Sequence, residues 1–232
     1  MRILYVGVSG KWTTSKMRFD AMCQLGHNVY LLDTQTKSKS GSIKQVLYKV
    51  SNRAGHPLDL AGANNKILQV LKKESFDIVW VDSVRNIKRA TLKMIKIQYP
   101  EILLISLIMD DPFAKTVVSW RRFLQTVPYY DLHYVAREKN ISELKALGAK
   151  EVYRFHKGYA PATHCCVTLR QDNKSYEIFF AGHYETKRES DIAFLIRNGI
   201  PVTVAHHKEN GWENSPHWKT IQPYFIDGGF YG

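Results

Sequence analysis

Two adjacent carboxylates follow an apolar stretch in "LIMDDPF". Asp110 and Asp111 stand at the end of a strand predicted over 101–110, and Pro112 disfavours immediate continuation into a helix. Mutual repulsion and partial burial would raise the pKa of one of them, so that it could act as a general base or orient a substrate hydroxyl. The alternative is that one carboxylate caps the helix predicted at 114–126 while the other faces solvent.

A second candidate is the loop after the first predicted strand, "GVSGKWTTSKMR". Gly7 and Gly10 would let a ligand approach the backbone, and Ser15 is one of three hydroxyl residues that could cap the following helix, whose N-terminus favours anions. The spacing is neither the dinucleotide fingerprint nor a P-loop. A substrate-facing loop is therefore expected, with a plain tight turn as the alternative. Asp82 stands at the corresponding point after a later strand, "FDIVWVD".

A third candidate is "AGHYETKRES", again between a predicted strand and a helix. Gly182 would allow close backbone approach, and Lys187 and Arg188 precede a helix whose amides would point to the same space. A diphosphate would suit that arrangement. The alternative is an ordinary loop whose cations face water.

The residues that could bind a metal do not form a known pattern. The histidines in question are His206, His207 and His217, and the cysteines are Cys23, Cys165 and Cys166. No H-E-x-x-H motif or cysteine partner accompanies the histidines, so no metal site is predicted. The cysteines suit neither a disulfide framework nor a zinc knuckle, which favours reduced thiols in a cytoplasmic protein.

The charge of the chain is strongly positive and uneven. Residues 1–116 hold 18 Lys and Arg against 9 Asp and Glu, a formal charge of +9, whereas residues 117–232 hold 15 against 12, or +3. Such a field attracts nucleic acid, an anionic membrane surface or a polyanionic substrate. The alternative is a solvated basic face. No stretch approaches the roughly 18 apolar residues of a membrane span, which predicts a soluble protein.

Strands and helices alternate along the chain. The apolar strands lack polar alternation, as expected for a parallel sheet covered on both faces. The fold class is therefore predicted to be α/β, a doubly wound Rossmann-like sheet. Strands are predicted at 2–8, 27–33, 76–82, 101–110, 130–136, 151–155, 176–182 and 200–207, and helices at 13–26, 58–74, 86–98, 114–126, 138–149 and 189–199.

Composition divides the chain into two domains. Residues 1–156 form the first Rossmann-like domain, and 157–175, rich in Gly, Pro and polar residues, are interpreted as the connection. Residues 176–232 open a new strand–helix–strand unit, which predicts the beginning of a second Rossmann-like domain with two strands.

The ordered series of motifs resembles glycosyltransferases of the GT-B architecture, specifically the bacterial group similar to the spore-maturation-protein glycosyltransferases. The resemblance spans the whole chain, and each motif is loose when taken alone. The motifs are "MRILYVG", "SKMRFDAMCQLGHNVYLLD", "FDIVWVDS", "ISLIMDDPF", "YDLHYVA", "ELKALGAKEVYRF" and "YEIFFAGHYETKRESDIAFLIRNGIPVTV".

This resemblance implies transfer of a sugar from a nucleotide-sugar donor to an acceptor hydroxyl in the cleft between two domains, without a bound metal or other cofactor. The first domain would hold the base and an acceptor, which would be anionic or lie at a membrane surface. The second would hold the donor. The implied residues are Asp110 and Asp111 as base candidates, Gly7, Gly10, Ser15, Arg18 and Asp82 on the acceptor side, and Gly182, His183, Lys187 and Arg188 on the donor side.

The second domain of such enzymes continues for roughly 100 to 150 residues, so the resemblance implies an incomplete or truncated donor domain. The alternative function is a non-catalytic basic module that binds an anionic polymer or a membrane-surface glycan. A nucleotide-dependent oxidoreductase is disfavoured by the glycine spacing. The expected location is cytoplasmic, with peripheral membrane association allowed.

Overall fold

The structure is a computed structural model that describes residues 1–11, 13–35, 43–114, 120–161, 164, 178–207 and 211–228. The chain separates into two compact units, Met1–Cys165 and Cys166–Gly232. This division falls within the predicted connection 157–175, most of which lies outside the described residues.

The first unit contains a six-stranded sheet in which every pair of neighbours is parallel, in the order β2-β1-β3-β4-β5-β6. Its strands are β1 (Arg2–Gly7), β2 (Asn28–Asp33), β3 (Ile78–Asp82), β4 (Leu103–Ile108), β5 (Leu132–Val135) and β6 (Glu151–Arg154). The inner strands β1 and β4 are buried over five of six residues each, because both faces of the sheet are covered. The predicted Rossmann-like α/β fold is confirmed.

Helices connect these strands. They are α1 (Thr14–Gln24), α2 (Ile43–Arg53), α3 (Ala63–Leu71), α4 (Arg89–Gln98), α5 (Arg121–Leu124) and α6 (Lys139–Ala146). The helix predicted at 114–126 overlaps 115–119, which lie outside the described residues; its described part is α5, followed by a 3-10 turn at Val127–Tyr129.

The region between β2 and β3 differs from the prediction. One helix was expected over 58–74, but α3 begins at Ala63 and a further helix, α2, precedes it. The start of α3 has a local cause. The Asp59 carboxylate accepts the backbone N–H groups of Ala63 and Asn64, both at 2.8 Å, and Gly62 adopts a left-handed conformation with φ of 68°.

The second unit has its own parallel sheet, ordered β7-β8-β9. The expectation of two strands is wrong, because residues near the end of the chain add a third. The elements are β7 (Ile178–Ala181), α7 (Thr186–Arg197), β8 (Val202–His206), α8 (Trp218–Ile221) and β9 (Phe225–Asp227). Trp212 is fully buried in this unit's core with Ile192, Val204 and Ile221.

Candidate functional site

The strand order of the first sheet reverses direction between β1 and β3. The chain runs from β1 outward to β2 and then returns to the other side of β1, where Val6 pairs with Val81. Ligands of open α/β sheets bind at such a switch point. Gly7 and Asp82 end the two strands there, so the structure brings these two predicted residues together.

Asp82 and Arg18 form a buried ion pair at this point. Arg18 donates from Nε to Asp82 Oδ2 at 2.7 Å and from Nη2 to Oδ1 at 2.9 Å. The Tyr5 hydroxyl also donates a hydrogen bond to Asp82 Oδ2. Both carboxylate oxygens of Asp82 therefore already accept hydrogen bonds from the protein. The bonds from Arg18 hold α1 against the sheet.

The charges of this group are fixed by its surroundings. Burial raises the pKa of Tyr5 far above its ordinary value, and the negative charge of Asp82 raises it further. Burial alone would lower the pKa of Arg18, but the hydrogen bonds to Asp82 and its charge outweigh that effect and raise it. Tyr5 is therefore neutral and Arg18 charged across the physiological range, and neither can exchange a proton in a reaction near pH 7.

The loop that follows β1 is bonded largely to itself. Ser15 is buried; its Oγ accepts the Val8 N–H at 3.1 Å, and its carbonyl oxygen lies 2.8 Å from the Tyr5 hydroxyl oxygen. Thr13, rather than Ser15, caps α1 by accepting the Lys16 N–H at 3.2 Å. Gly7 is packed tightly, since a methyl group there would lie 2.4 Å from Ser15 Oγ and 2.7 Å from the Tyr5 ring.

Gly10 lies on the rim of this loop. Its carbonyl accepts both the N–H and the hydroxyl of Thr13, at 2.9 and 2.8 Å. A methyl group on Gly10 would approach Thr13 Cγ2 to 3.0 Å, which is a milder restriction than that at Gly7. Five predicted acceptor-side residues, Gly7, Gly10, Ser15, Arg18 and Asp82, thus lie within one loop, one helix and one neighbouring strand end.

The two carboxylates beyond β4 have different environments. Asp111 is buried; its Oδ1 accepts the Phe113 N–H and the Asn140 side-chain amide, both at 3.0 Å, and its Oδ2 lies 2.5 Å from Lys139 Nζ. Burial would raise the pKa of Asp111, but these hydrogen bonds outweigh it and lower the pKa below its usual range. Asp110 is exposed, and its carboxylate forms no hydrogen bond or ion pair with any residue in the described ranges.

Asp110 is therefore the more accessible of the two carboxylates. A general base needs a free lone pair within reach of a substrate proton. Asp111 has its lone pairs engaged and a depressed pKa, so its geometry suits a structural link between the end of β4 and the start of α6.

In the second unit, Gly182 follows β7 and is held by the core. Its carbonyl accepts the Trp212 indole N–H at 3.1 Å. A methyl group on Gly182 would lie 2.6 Å from the Phe180 ring. The position therefore favours glycine for packing reasons, whatever approaches the loop from solvent.

His183 and His206 form a pair at the carboxyl ends of β7 and β8. Nε2 of His206 lies 2.9 Å from Nδ1 of His183, and Nδ1 of His206 accepts the His207 backbone N–H at 2.8 Å. Since Nδ1 of His206 is an acceptor, the proton of its neutral ring is on Nε2 and is donated to His183. That bond leaves Nε2 of His183 as the protonated nitrogen of that ring.

Lys187 and Arg188 are both in the first turn of α7, but they are not equivalent. Arg188 donates to the His183 carbonyl at 2.8 Å, pairs with Glu185 at 3.0 Å and lies over the Phe180 ring at 5.2 Å. Lys187 is exposed and forms no ion pair with any residue that the structure describes. The side chain of Glu185, the N-cap residue, makes no capping hydrogen bond to α7. The exposed Lys187 ammonium and the uncapped backbone amides of α7 could together bind an anion.

Sequence reasoning missed Glu189, which also lies in the first turn of α7. This residue is buried, and its Oε2 has no hydrogen-bond partner. An acidic residue in a first turn is ordinary, so no sequence signal marks it out.

The described residues contain no group of three His, Cys, Asp or Glu arranged to hold a metal ion. In the same part of the chain, no helix is long and apolar enough to cross a membrane.

A groove in the first unit does not coincide with the predicted site. It has a volume of about 370 Å³ and runs between β2 and α3. It is lined by Tyr30, Leu31, Leu32, Asp33, Lys66, Gln69, Val70, Lys73 and Glu74. None of the residues singled out above for chemistry lies in it.

The sequence matches no family model and no curated protein. Among solved structures, the chain is similar to HepE from Anabaena, whose crystal structure contains UDP and glucose. The two share 13% identity, with a TM-score of 0.56, and the similarity covers 100% of this chain and 70% of HepE. At this level of identity the similarity shows a shared fold.

Proposed function

We propose that the chain is a GT-B-type glycosyltransferase that transfers a sugar from a nucleotide-sugar donor to an acceptor hydroxyl. The observation that carries the proposal is the similarity, along the whole chain, to a protein whose structure contains UDP and glucose. Fold alone does not assign chemistry, so the proposal also depends on the residues at the carboxyl ends of the two sheets.

The second unit is proposed to bind the donor. Lys187 offers an exposed cation without an ion-pair partner in the described structure, beside the uncapped amide groups of α7. Together they would stabilise the negative charge that develops on a diphosphate leaving group. His183 would add the Nε2–H donor described above, Gly182 would allow close approach, and Arg188 would keep the loop in place through its bonds to His183 and Glu185.

The first unit is proposed to bind the acceptor, with Asp110 as the general base. Its carboxylate is exposed and unengaged among the described residues, whereas Asp111 is held by Lys139 and Asn140. Arg18 and Asp82 act as positioning residues, because their bonds fix α1 and the adjacent loop against β1 and β3. No step in this proposal uses a metal ion or cofactor.

The test of donor binding is calorimetric titration of the whole chain with UDP and UDP-glucose. We expect saturable binding, weakened about tenfold by Lys187→Ala, because a charge-assisted contact to phosphate is lost. The matched control is Lys219→Ala, which removes an exposed lysine from α8 in the same unit. Absence of binding, or equal affinities for Lys187→Ala and the unsubstituted chain, would refute the donor assignment.

The test of the base is UDP release from UDP-glucose in the presence of candidate acceptors. Asp110→Asn should lower turnover at least about tenfold with little change in donor affinity, since general-base catalysis contributes on the order of 100-fold or more. Normal turnover in Asp110→Asn would exclude it as the base.

A second candidate function, a non-catalytic module that binds an anionic polymer, is favoured by the formal charge of +9 in residues 1–116. The dependence of binding on salt concentration distinguishes these two functions. A polyanion complex should weaken steeply as salt rises, whereas a nucleotide-sugar site should distinguish UDP from other nucleoside diphosphates at fixed salt.

A further inference from the structure

Helix α2 presents its apolar side to solvent. Ile43, Val46, Leu47 and Val50 have the i, i+3, i+4, i+7 spacing of a helical stripe, and each side chain is between 52% and 79% exposed. A surface helix of a globular protein normally turns such a stripe toward the core. No other described helix carries four exposed large apolar side chains.

The partly buried residues of α2 lie outside this stripe. Tyr48, Ser51 and Asn52 are half-buried, and Asn52 Oδ1 is fully buried. The Ser51 hydroxyl donates to the Tyr48 carbonyl at 2.9 Å and accepts the Leu58 N–H at 3.2 Å. The stripe is thus the exposed side of α2, and the partly buried residues lie elsewhere on its surface.

Positive charges flank the stripe. At about 3.6 residues per turn, Lys44 lies on one side of it, and Lys49 and Arg53 lie on the other. None of the three forms an ion pair with a described residue. The surrounding sequence 34–58 contains no Asp or Glu, and its basic residues are Lys37, Lys39, Lys44, Lys49 and Arg53.

We propose that α2 docks the protein on an anionic lipid bilayer, lying in the plane of the membrane surface. Its aliphatic side chains would enter the boundary between headgroups and acyl chains, while the flanking cations contact lipid phosphates. A helix of 11 residues is about 16 Å long, too short to cross a hydrocarbon core of about 30 Å. This inference goes beyond the proposed glycosyl transfer and does not depend on it.

Charge and composition favour lipid over other occupants. A second copy packed on the same stripe would bring the two sets of cations together, and like charges would oppose the contact. A nucleic acid or other polyanion would use the cations but gain little from Val, Leu and Ile, since base stacking needs aromatic side chains. An anionic bilayer uses both the charge and the apolar area.

The test is flotation of the whole chain with vesicles of equal parts phosphatidylcholine and phosphatidylglycerol, compared with pure phosphatidylcholine. We expect binding to the anionic vesicles that weakens as salt is added. Val46→Glu with Val50→Glu should weaken binding at least about tenfold. Lys44→Gln, Lys49→Gln and Arg53→Gln together should weaken it by on the order of 100-fold.

The matched control is Met94→Glu with Ile97→Glu, which changes two exposed apolar residues at helical spacing on α4 and should alter binding less than about twofold. Circular dichroism verifies that each variant is folded. In the unsubstituted chain, hydrogen exchange provides a second readout: amides 43–53 should exchange more slowly when anionic vesicles are present.

Several outcomes would overturn the proposal. They are failure to bind anionic vesicles, equal loss in the α4 control, and binding that survives Val46→Glu with Val50→Glu, which would indicate attraction to polyanions alone. A dimer that these two substitutions dissociate, without vesicle binding, would assign the stripe to a second copy.

Discussion

Arg18 and Asp82 are joined by two parallel hydrogen bonds, of 2.7 and 2.9 Å, at the point where the connectivity of the sheet reverses between β1 and β3. The Asp82 side chain is fully buried and that of Arg18 is 17% exposed. The pair therefore fills part of the position where open α/β sheets commonly bind ligands, and it fixes the loop that borders the remaining space.

Breaking this pair should destabilise the first unit. Asp82→Asn leaves the Arg18 guanidinium buried without its counter-charge and should lower the free energy of unfolding by about 3–5 kcal/mol. Arg18→Lys keeps the charge but cannot form both bonds, so its effect should be smaller. Urea unfolding at pH 7 measures both.

The control for that experiment is the ion pair between Arg2 and Glu74, whose side chains are 44% and 45% exposed. Arg2→Gln should cost no more than about 1 kcal/mol, because solvent screens the pair. Similar losses of unfolding free energy in Asp82→Asn and Arg2→Gln would contradict the role assigned to Asp82.

Gly7 should tolerate no side chain. Gly7→Ala places a methyl group 2.4 Å from Ser15 Oγ and 2.7 Å from the Tyr5 ring, so the loop must shift, at a cost of about 1–3 kcal/mol in unfolding free energy. Gly158→Ala is the control, because nothing lies within 4 Å of a methyl group there. A melting temperature for Gly7→Ala equal to that of the control would show that this loop adapts freely.

The regular part of the fold could be predicted from the sequence because its strands are apolar throughout. The runs that became β1 and β4 are buried on both faces, so their hydrophobicity alone locates them. Helix α2 was not predicted, although its apolar residues have the spacing of an amphipathic helix. Strand β9 was not predicted, because a strand of three residues is too short to show a periodicity in the sequence.

Sequence position located the candidate site but not the state of its residues. Strand-end position identified Gly7 and Asp82 as candidates, but nothing in the spacing showed that Arg18 and Tyr5 would bind the Asp82 carboxylate. Likewise, the sequence alone does not distinguish the roles of Asp110 and Asp111. The structure distinguishes them, because Asp111 is buried and bonded to Lys139 and to Asn140, 29 residues away, whereas Asp110 is exposed.

The two carboxylates should therefore differ in their effect on stability. Asp111→Asn weakens the bonds from Lys139, Asn140 and the Phe113 amide and should lower the unfolding free energy by about 1–3 kcal/mol. Asp110→Asn should change it by less than about 0.5 kcal/mol, as expected for an exposed side chain that forms no hydrogen bond or ion pair in the described structure. If thermal or urea unfolding shows equal losses of stability in Asp111→Asn and Asp110→Asn, the structural role assigned to Asp111 is wrong.

The buried His133 should make the stability of the first unit depend on pH. Its Nε2 lies 3.0 Å from the Val127 carbonyl, which can only accept, so Nε2 carries the proton and Nδ1 accepts the Ser106 hydroxyl at 2.5 Å. Burial lowers the pKa of His133 from 6.5 to about 4, with the bond to Val127 offsetting part of the effect. The folded state thus keeps the ring neutral at a pH where the unfolded chain protonates it.

Since the unfolded state binds the extra proton between pH 6.5 and about 4, the contribution of His133 is complete above pH 6.5 and is lost as pH falls toward 4. The loss amounts to on the order of 3 kcal/mol. Urea unfolding at a series of pH values should show this slope, and His133→Gln should reduce it whatever its own stability. His207→Gln, at an exposed site in the second unit, should leave it intact. An unchanged slope in His133→Gln would mean that other groups cause the pH dependence.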